Sequence, residues 1–316
     1  MKHSSFRLRI FIVIGILFLS TSFLYAETAE EYFNRGLTYA KQGNLPQAIS
    51  DFTKAIGINP NYSEAYNNRS ASYIKQSNLN QAMPDCNKAI AINSNDAEAY
   101  NNRGLVYAMQ GNFTQAISDF TKVIEINPDD TGAYNNRGLT YAKQGNLPKA
   151  ISDYTKAIEI NSNYTSVYYN RGLAYAKQGN LPQAVSDFTR AIEINPNDTE
   201  AYDNRGSAYY EQDNFIQAIS DYTKVIEINP NLASAYYNRG LVYGKQGNLP
   251  QAILDSTKAI EINPNFALAY NNRGVAYAKA KEYDKAWQDV HKAEELGYAG
   301  NPEFLNALKK ASGRDK

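Results

Sequence analysis

The sequence predicts an all-α solenoid of eight helix-turn-helix repeats plus a C-terminal capping helix, and three observations predict it. The chain repeats with an uninterrupted period of 34 residues from Ala29 to Gly300, each period carries two amphipathic stripes at helical spacing, and Asn and Pro punctuate successive copies at the same places. A lone helical hairpin cannot bury both of its apolar faces. Neighbouring copies must therefore stack, and stability becomes a sum over units and interfaces.

Ahead of the repeats come a basic start, an unbroken apolar run from Ile10 to Leu19, small polar residues and Ala26. This is the layout of a secretory signal peptide, expected to be cleaved after Ala26. Leu24 is bulky for its place two residues before that point, and Ser20 with Ser22 offers an alternative. Left uncleaved, residues 10–26 would form a single membrane anchor at the short end of the spanning range. No Cys closes the apolar run, which disfavours a lipoprotein. The chain thus divides into residues 1–26 as signal peptide or anchor, 27–300 as eight repeats, and 301–316 as capping helix and tail. The expected location is exported, periplasmic or extracellular.

Within each copy, numbered from its first residue, position 4 is always Tyr (Tyr32 to Tyr270), position 11 always Tyr (Tyr39 to Tyr277) and position 20 always Ala (Ala48 to Ala286). Position 8 is Gly in seven copies and Ser70 in the second. Positions 4, 8 and 11 share one helical face, as do 20, 21, 24, 27 and 28. A small residue at 8 opposite Ala at 20 predicts close approach of the two helices, with the tyrosines filling the space around it. Asn44 and Pro46 cap and open the second helix of the first copy, and Asn59 with Pro60 stops it. The eighth copy departs from the pattern at Lys281, Glu282, Trp287 and Tyr298. A further helix then begins with Asn301 as cap and Pro302 in its first turn, bearing Phe304, Leu305 and Leu308 as an apolar stripe to cover the last repeat.

This combination of spacing, residue size and period, with an aromatic at 24 in five copies and Pro at 32 in five, resembles the tetratricopeptide repeat over residues 29–300. The resemblance implies a right-handed superhelix whose concave groove, lined by positions 2, 5, 6, 9, 12 and 13 of the first helices, binds a protein or peptide. It also implies an asparagine ladder holding the backbone of an extended segment. The candidate rungs are Asn34, Asn68, Asn102, Asn136, Asn170, Asn204, Asn238 and Asn272, since position 6 stays Asn while position 5 varies. An amide offers both a donor and an acceptor to a peptide backbone whatever its sequence. Leu105, Leu139 and Leu173 at position 9 offer apolar contact beside it. The bland alternative is that these asparagines bond to neighbouring helices. The clamp for a terminal carboxylate found in chaperone adaptors needs Lys at position 5, which never occurs here, so the implied ligand is an internal uncharged or mixed stretch.

Arg at position 7 and Asp at position 23 are each invariant across the copies, as in Arg103 with Asp119 and Arg137 with Asp153. Matched opposite charges predict inter-helix ion pairs, within or between repeats, that set register more than net stability. An arginine row for anionic ligands is the competing reading.

Composition argues against other classes. Removing Lys2, Arg7 and Arg9 with the first 26 residues takes 32 positive charges against 32 negative to 29 against 32, and no basic concentration suited to nucleic acid appears. Only two His and one Cys are present, without phosphate-binding, metal-ligating or nucleophilic motifs, so no enzyme activity, small-molecule substrate, cofactor or metal is expected. Cys86 fills an aromatic position as a buried inert thiol, and His291 reads as a surface residue. The function predicted is non-catalytic binding of a protein or peptide outside the cytoplasm. An oligomerisation scaffold for an envelope complex is the alternative.

Overall fold

The computed structural model describes residues 27–314, so the expected signal peptide or anchor in residues 1–26 lies outside the described residues. Among the described residues the chain forms seventeen α-helices and no strands. It divides into two compact units, Met1–Asn127 and Pro128–Lys316. The first holds α1 (Ala29–Lys41), α2 (Leu45–Ile58), α3 (Ser63–Lys75), α4 (Leu79–Ile92), α5 (Ala97–Met109) and α6 (Phe113–Ile126). The second holds α7 (Thr131–Lys143), α8 (Leu147–Ile160), α9 (Thr165–Lys177), α10 (Leu181–Ile194), α11 (Thr199–Glu211), α12 (Phe215–Ile228), α13 (Ala233–Lys245), α14 (Leu249–Ile262), α15 (Ala267–Lys279), α16 (Tyr283–Glu295) and α17 (Pro302–Ser312). In each unit, consecutive helices pair into hairpins that stack on the next hairpin.

The punctuation acts locally. Asn44, Asn146 and Asn248 cap their helices by accepting from the backbone N–H three residues on, with Pro in the first turn. Asn59 turns the chain out of α2 in extended conformation, and its side chain accepts from the Asn61 N–H. The hairpin turn needs a left-handed residue at position 15: Gly43 has φ 77°, while Ser77, Asp213 and Lys281 hold φ of 58°, 56° and 64° at the same place.

The close approach at position 8 meets the expected Ala at 20 in two copies, where a Cβ on Gly240 or Gly274 would lie 3.4 Å from the Ala252 carbonyl oxygen or 3.3 Å from that of Ala286, and a different partner in five. A Cβ on Gly36, Gly104, Gly138, Gly172 or Gly206 would lie 2.7–3.0 Å from the position-24 ring of Phe52, Phe120, Tyr154, Phe188 or Tyr222, so in these five copies the aromatic demands the glycine. Of the three copies without a ring at position 24, the one with the small, fully buried Cys86 carries Ser70, while those with Ser256 and Val290 keep Gly240 and Gly274. The tyrosines at 4 and 11 are mostly half-exposed, and the contact between hairpins falls to small residues such as Ala65, Ala99, Val106, Val167, Ala201 and Val242, all at most 1% exposed.

At the C-terminus, Leu308 of α17 is buried with Ala286, Trp287 and Val290, and Phe304 and Leu305 pack beside them. The Trp287 indole N–H donates to Ser312 Oγ at 3.1 Å. Among the described residues no helix is long and apolar enough to cross a membrane.

Candidate functional site

The first helices present the position-6 asparagines beside the position-9 residues because positions three apart in a helix share a face. A cavity of about 290 Å³ is lined by Leu139, Ala142, Lys143, Leu147 and Tyr154 of one repeat and by Asn170, Leu173, Ala174 and Lys177 of the next. Leu173 is 36% exposed there, unusual for leucine in a folded stack. A second cavity, of about 200 Å³, is lined among others by Leu241, Lys245, Leu249, Asn272, Val275 and Lys279. Candidate ladder residues and candidate apolar residues are thus brought together at both places.

Much of the amide chemistry is already engaged inside the protein. Asn102 Nδ2 donates to Asn67 Oδ1 at 2.5 Å, Asn170 to Asn135 Oδ1 at 3.0 Å, Asn204 to the Tyr169 hydroxyl at 3.2 Å, and Asn238 to Asp203 Oδ1 at 3.1 Å. In every case the donor is position 6 and the acceptor is position 5 of the preceding repeat. Asn, Tyr and Asp at position 5 each place an acceptor there. Where the preceding residue is Phe33, Asn68 turns to the Glu64 carbonyl instead. Asn272, the most buried rung, donates to Ser256 Oγ at 2.9 Å, whereas Asn34 is exposed. Asn136 is likewise half-buried and bonded. These rungs bond sideways through Nδ2, Asn102 and Asn204 donating also to Ser70 Oγ and the Glu200 carbonyl, and an amide oxygen remains an acceptor for another partner.

The arginines point away from ligand chemistry. Nε and Nη2 of Arg103 donate to Asp119 at 2.8 Å each, and Nη1 donates at 3.0 Å to Asn87 of the preceding repeat. The same fork joins Arg137 to Asp153, Arg171 to Asp187 and Arg205 to Asp221, so the pairing lies within a repeat. Nη1 of Arg171 and Arg205 reaches back to Thr155 and Thr189. Each guanidinium also sits over the position-4 ring, 5.4 Å from centroid for Arg103 on Tyr100. The acid is the deeper partner: the Asp221 side chain is 5% exposed against 15% for Arg205. Burial pushes the Asp221 carboxyl above the ordinary carboxylate range, with the Arg205 hydrogen bonds opposing it.

Burial raises the Cys86 thiol to about 11, which leaves it protonated and unreactive at neutral pH. His291 stacks on Trp287 with ring centroids 5.6 Å apart. Among the described residues no group of His, Cys, Asp and Glu could hold a metal ion.

Position 13 of the groove face carries lysines at both cavities. Lys143 and Lys177 border the first cavity and Lys245 and Lys279 the second, all exposed.

Three family models match the chain. One described as tetratricopeptide repeat matches residues 29–62, 97–130, 165–198 and 233–266; a second of the same description matches 120–152 and 257–288; and one described as TPR repeat matches 71–111, 140–179 and 206–247. Together they reach into all eight copies. Among solved structures, the chain is 28% identical to YrrB, titled a TPR protein with an unusual peptide-binding site, at TM-score 0.52, covering 58% of this chain and 95% of that one. The C-terminal part of a TPR repeat-containing protein from Cytophaga hutchinsonii is 22% identical at TM-score 0.64, covering 76% and 98%. A tetratricopeptide repeat protein from Parabacteroides merdae is 23% identical at TM-score 0.56, covering 80% and 99%. No curated protein matches.

Proposed function

Since the chain belongs to the tetratricopeptide-repeat family, whose repeats typically serve protein–protein interaction, we propose that it is a non-catalytic module binding an extended segment of a partner protein along the first-helix face. The observation that carries this reading is the exposed leucine beside a half-satisfied amide: Leu173 and Asn170 border the same cavity, one offering apolar surface and the other an unused carbonyl oxygen. Burying two or three such apolar contacts contributes about 1.5 kcal/mol or more each, and each neutral hydrogen bond about 1 kcal/mol net. Ordering a flexible segment removes about 2–5 kcal/mol of that, so several repeats must be engaged for useful affinity. That YrrB is titled as having a peptide-binding site supports the same class of ligand.

The work is proposed to take place outside the cytoplasm, because the basic start, apolar run and small-residue exit of residues 1–26 have the composition of an export signal. The test replaces Leu139 and Leu173 together with Asp and compares partner capture from an envelope extract with that of the unaltered chain, alongside melting and sedimentation. Capture lost with melting and oligomeric state unchanged supports groove binding. Capture retained would place the partner elsewhere than the groove, and no capture by the unaltered chain, with self-association as the sole measurable interaction, would make the protein a scaffold.

A further inference from the structure

The two cavities are one design made twice. Leu139, Ala142, Lys143, Leu147, Asn170, Leu173, Ala174 and Lys177 are matched by Leu241, Gly244, Lys245, Leu249, Asn272, Val275, Ala276 and Lys279, each three repeats further along the same unit. The lining stays apolar at positions 9 and 17 and cationic at position 13 in both. The one repeat between them breaks the set, since Ser207 takes position 9 and Glu211 position 13.

Charge is sorted with the same period. Lys143, Lys177, Lys245 and Lys279, like Lys41 and Lys75 at the same position, have no ion-pair partner among the described residues, whereas several exposed cations of the second helices are paired, as in Lys156 with Glu159, Arg190 with Glu193 and Lys258 with Glu261. Position 2, on the same face of the first helix, is acidic at Glu30, Glu64, Glu98 and Glu200 but neutral in the four repeats that form the cavities: Gly132, Ser166, Ser234 and Leu268. A cation in the last helical turn is favoured by the helix dipole wherever it occurs. That alone does not place the lysines, because α5 and α11 end in Met109 and Glu211 at this position and keep the same 13-residue length.

Resting on the groove reading above, we propose that each cavity takes an apolar side chain flanked by carboxylate side chains from an internal acidic segment of a partner protein, and that two such motifs in one partner engage the two cavities together. The lysine ammonium groups meet the carboxylates at the rim while the leucines bury the anchor, and the position-6 carbonyl oxygen is available to a backbone N–H. Linking two motifs turns the second contact into an intramolecular one.

The probes are three synthetic peptides with blocked ends: a leucine flanked by Asp and Glu, the same peptide with Asn and Gln, and the same acidic peptide with Ser for Leu. They are read by fluorescence anisotropy on the chain as its host produces it. The acidic leucine peptide should bind at least tenfold tighter than either control and weaken with salt. Joining two motifs through graded Gly-Ser linkers should raise affinity by roughly 10²-fold at the best length. Lys143→Glu with Lys177→Glu, or Lys245→Glu with Lys279→Glu, should each abolish that gain and halve the single-motif stoichiometry; all four residues are exposed, and unchanged melting verifies the fold. Equal binding of the amide peptide, or of the serine peptide, overturns the proposal. If no peptide binds while Leu139→Asp with Leu173→Asp still abolishes partner capture, this proposal fails and the groove reading stands. If capture survives those leucine changes, the groove reading itself fails.

Discussion

Asn170 donates through Nδ2 to Oδ1 of Asn135 at 3.0 Å, joining position 6 of one repeat to position 5 of the one before it. The invariance of position 6 therefore has a cause inside the fold, and replacing rungs with Ala does not affect ligand binding alone. Asn170→Ala and Asn135→Ala should each lower stability by about 1 kcal/mol, with a coupling of about 0.5–1.5 kcal/mol in the double-mutant cycle by denaturant melts. Asn34→Ala, at a side chain with no partner among the described residues, should leave the melt where it is. Additive losses at Asn170 and Asn135 would show the bond to be absent in solution.

The ion pair makes an asymmetric prediction. With Asp221 at 5% exposure and Arg205 at 15%, Arg205→Leu strands the more buried charge and should destabilise by about 3–5 kcal/mol, more than Asp221→Leu does. Burial already raises the Asp221 carboxyl above 3.8, and losing the opposing hydrogen bonds raises it further. A carboxyl whose folded pKa lies above its unfolded value favours the protonated form when folded, so the deficit of Arg205→Leu should shrink as pH falls through that raised value. Melting temperatures of both variants across the acid range check this; a deficit independent of pH would contradict it.

The two helices of each hairpin and their ends were readable because caps and breakers act within a few residues: Asn44, Pro46 and Asn59 bound α2 where the sequence places them. The pairing of Asn170 with Asn135 was not readable, because it joins residues of different hairpins and one-dimensional spacing does not say which helices touch. The contact of the position-8 glycine with the position-24 ring in five copies was not readable for the same reason. Apolar content at position 9 pointed to Leu139 and Leu173, but that Lys143 and Lys177 border the same cavity depends on which hairpins touch, which spacing does not give.

Gly172 and Phe188 offer a test built from the protein's own variation. A Cβ at Gly172 would meet the Phe188 ring at 2.8 Å, so Gly172→Ser should destabilise by about 1–3 kcal/mol through overpacking. Adding Phe188→Cys recreates the Ser70 and Cys86 arrangement of the second copy and should recover part of that loss. Thermal melts of the single and double variants decide it: a double variant that merely sums two losses would show that the ring and the glycine are not coupled.

Buried tyrosines set an alkaline limit. Burial pushes Tyr169 and Tyr222 up to about 12 from the ordinary 10.0, so both stay neutral when folded at a pH that ionises them when unfolded. A folded value above the unfolded one gives stability that is full below about pH 10 and lost as pH rises toward about 12. Tyr169→Phe with Tyr222→Phe should flatten the fall in melting temperature over that window. An unchanged slope would assign the alkaline limit to other groups.

The final helix bears on how the stack ends. Leu308 is 2% exposed against Trp287 at 4% and Val290 at 3%, so α17 covers an apolar surface that an interior repeat would hide beneath its successor. Because each repeat depends on its neighbours, loss of this cover should act locally rather than on the whole chain. Ending the chain at Gly300 exposes Trp287 and Val290 and also leaves the indole N–H without Ser312. The shortened protein should show a red-shifted Trp287 emission, bind a hydrophobic dye, self-associate as concentration rises, and lose hydrogen-exchange protection in α15 and α16 first, while α7 to α10 keep theirs. Leu308→Asp in the full-length chain should reproduce the emission shift and the dye binding without removing the helix itself. If the shortened chain stays monomeric with unshifted emission and an unchanged melt, α17 contributes nothing to holding the last repeat.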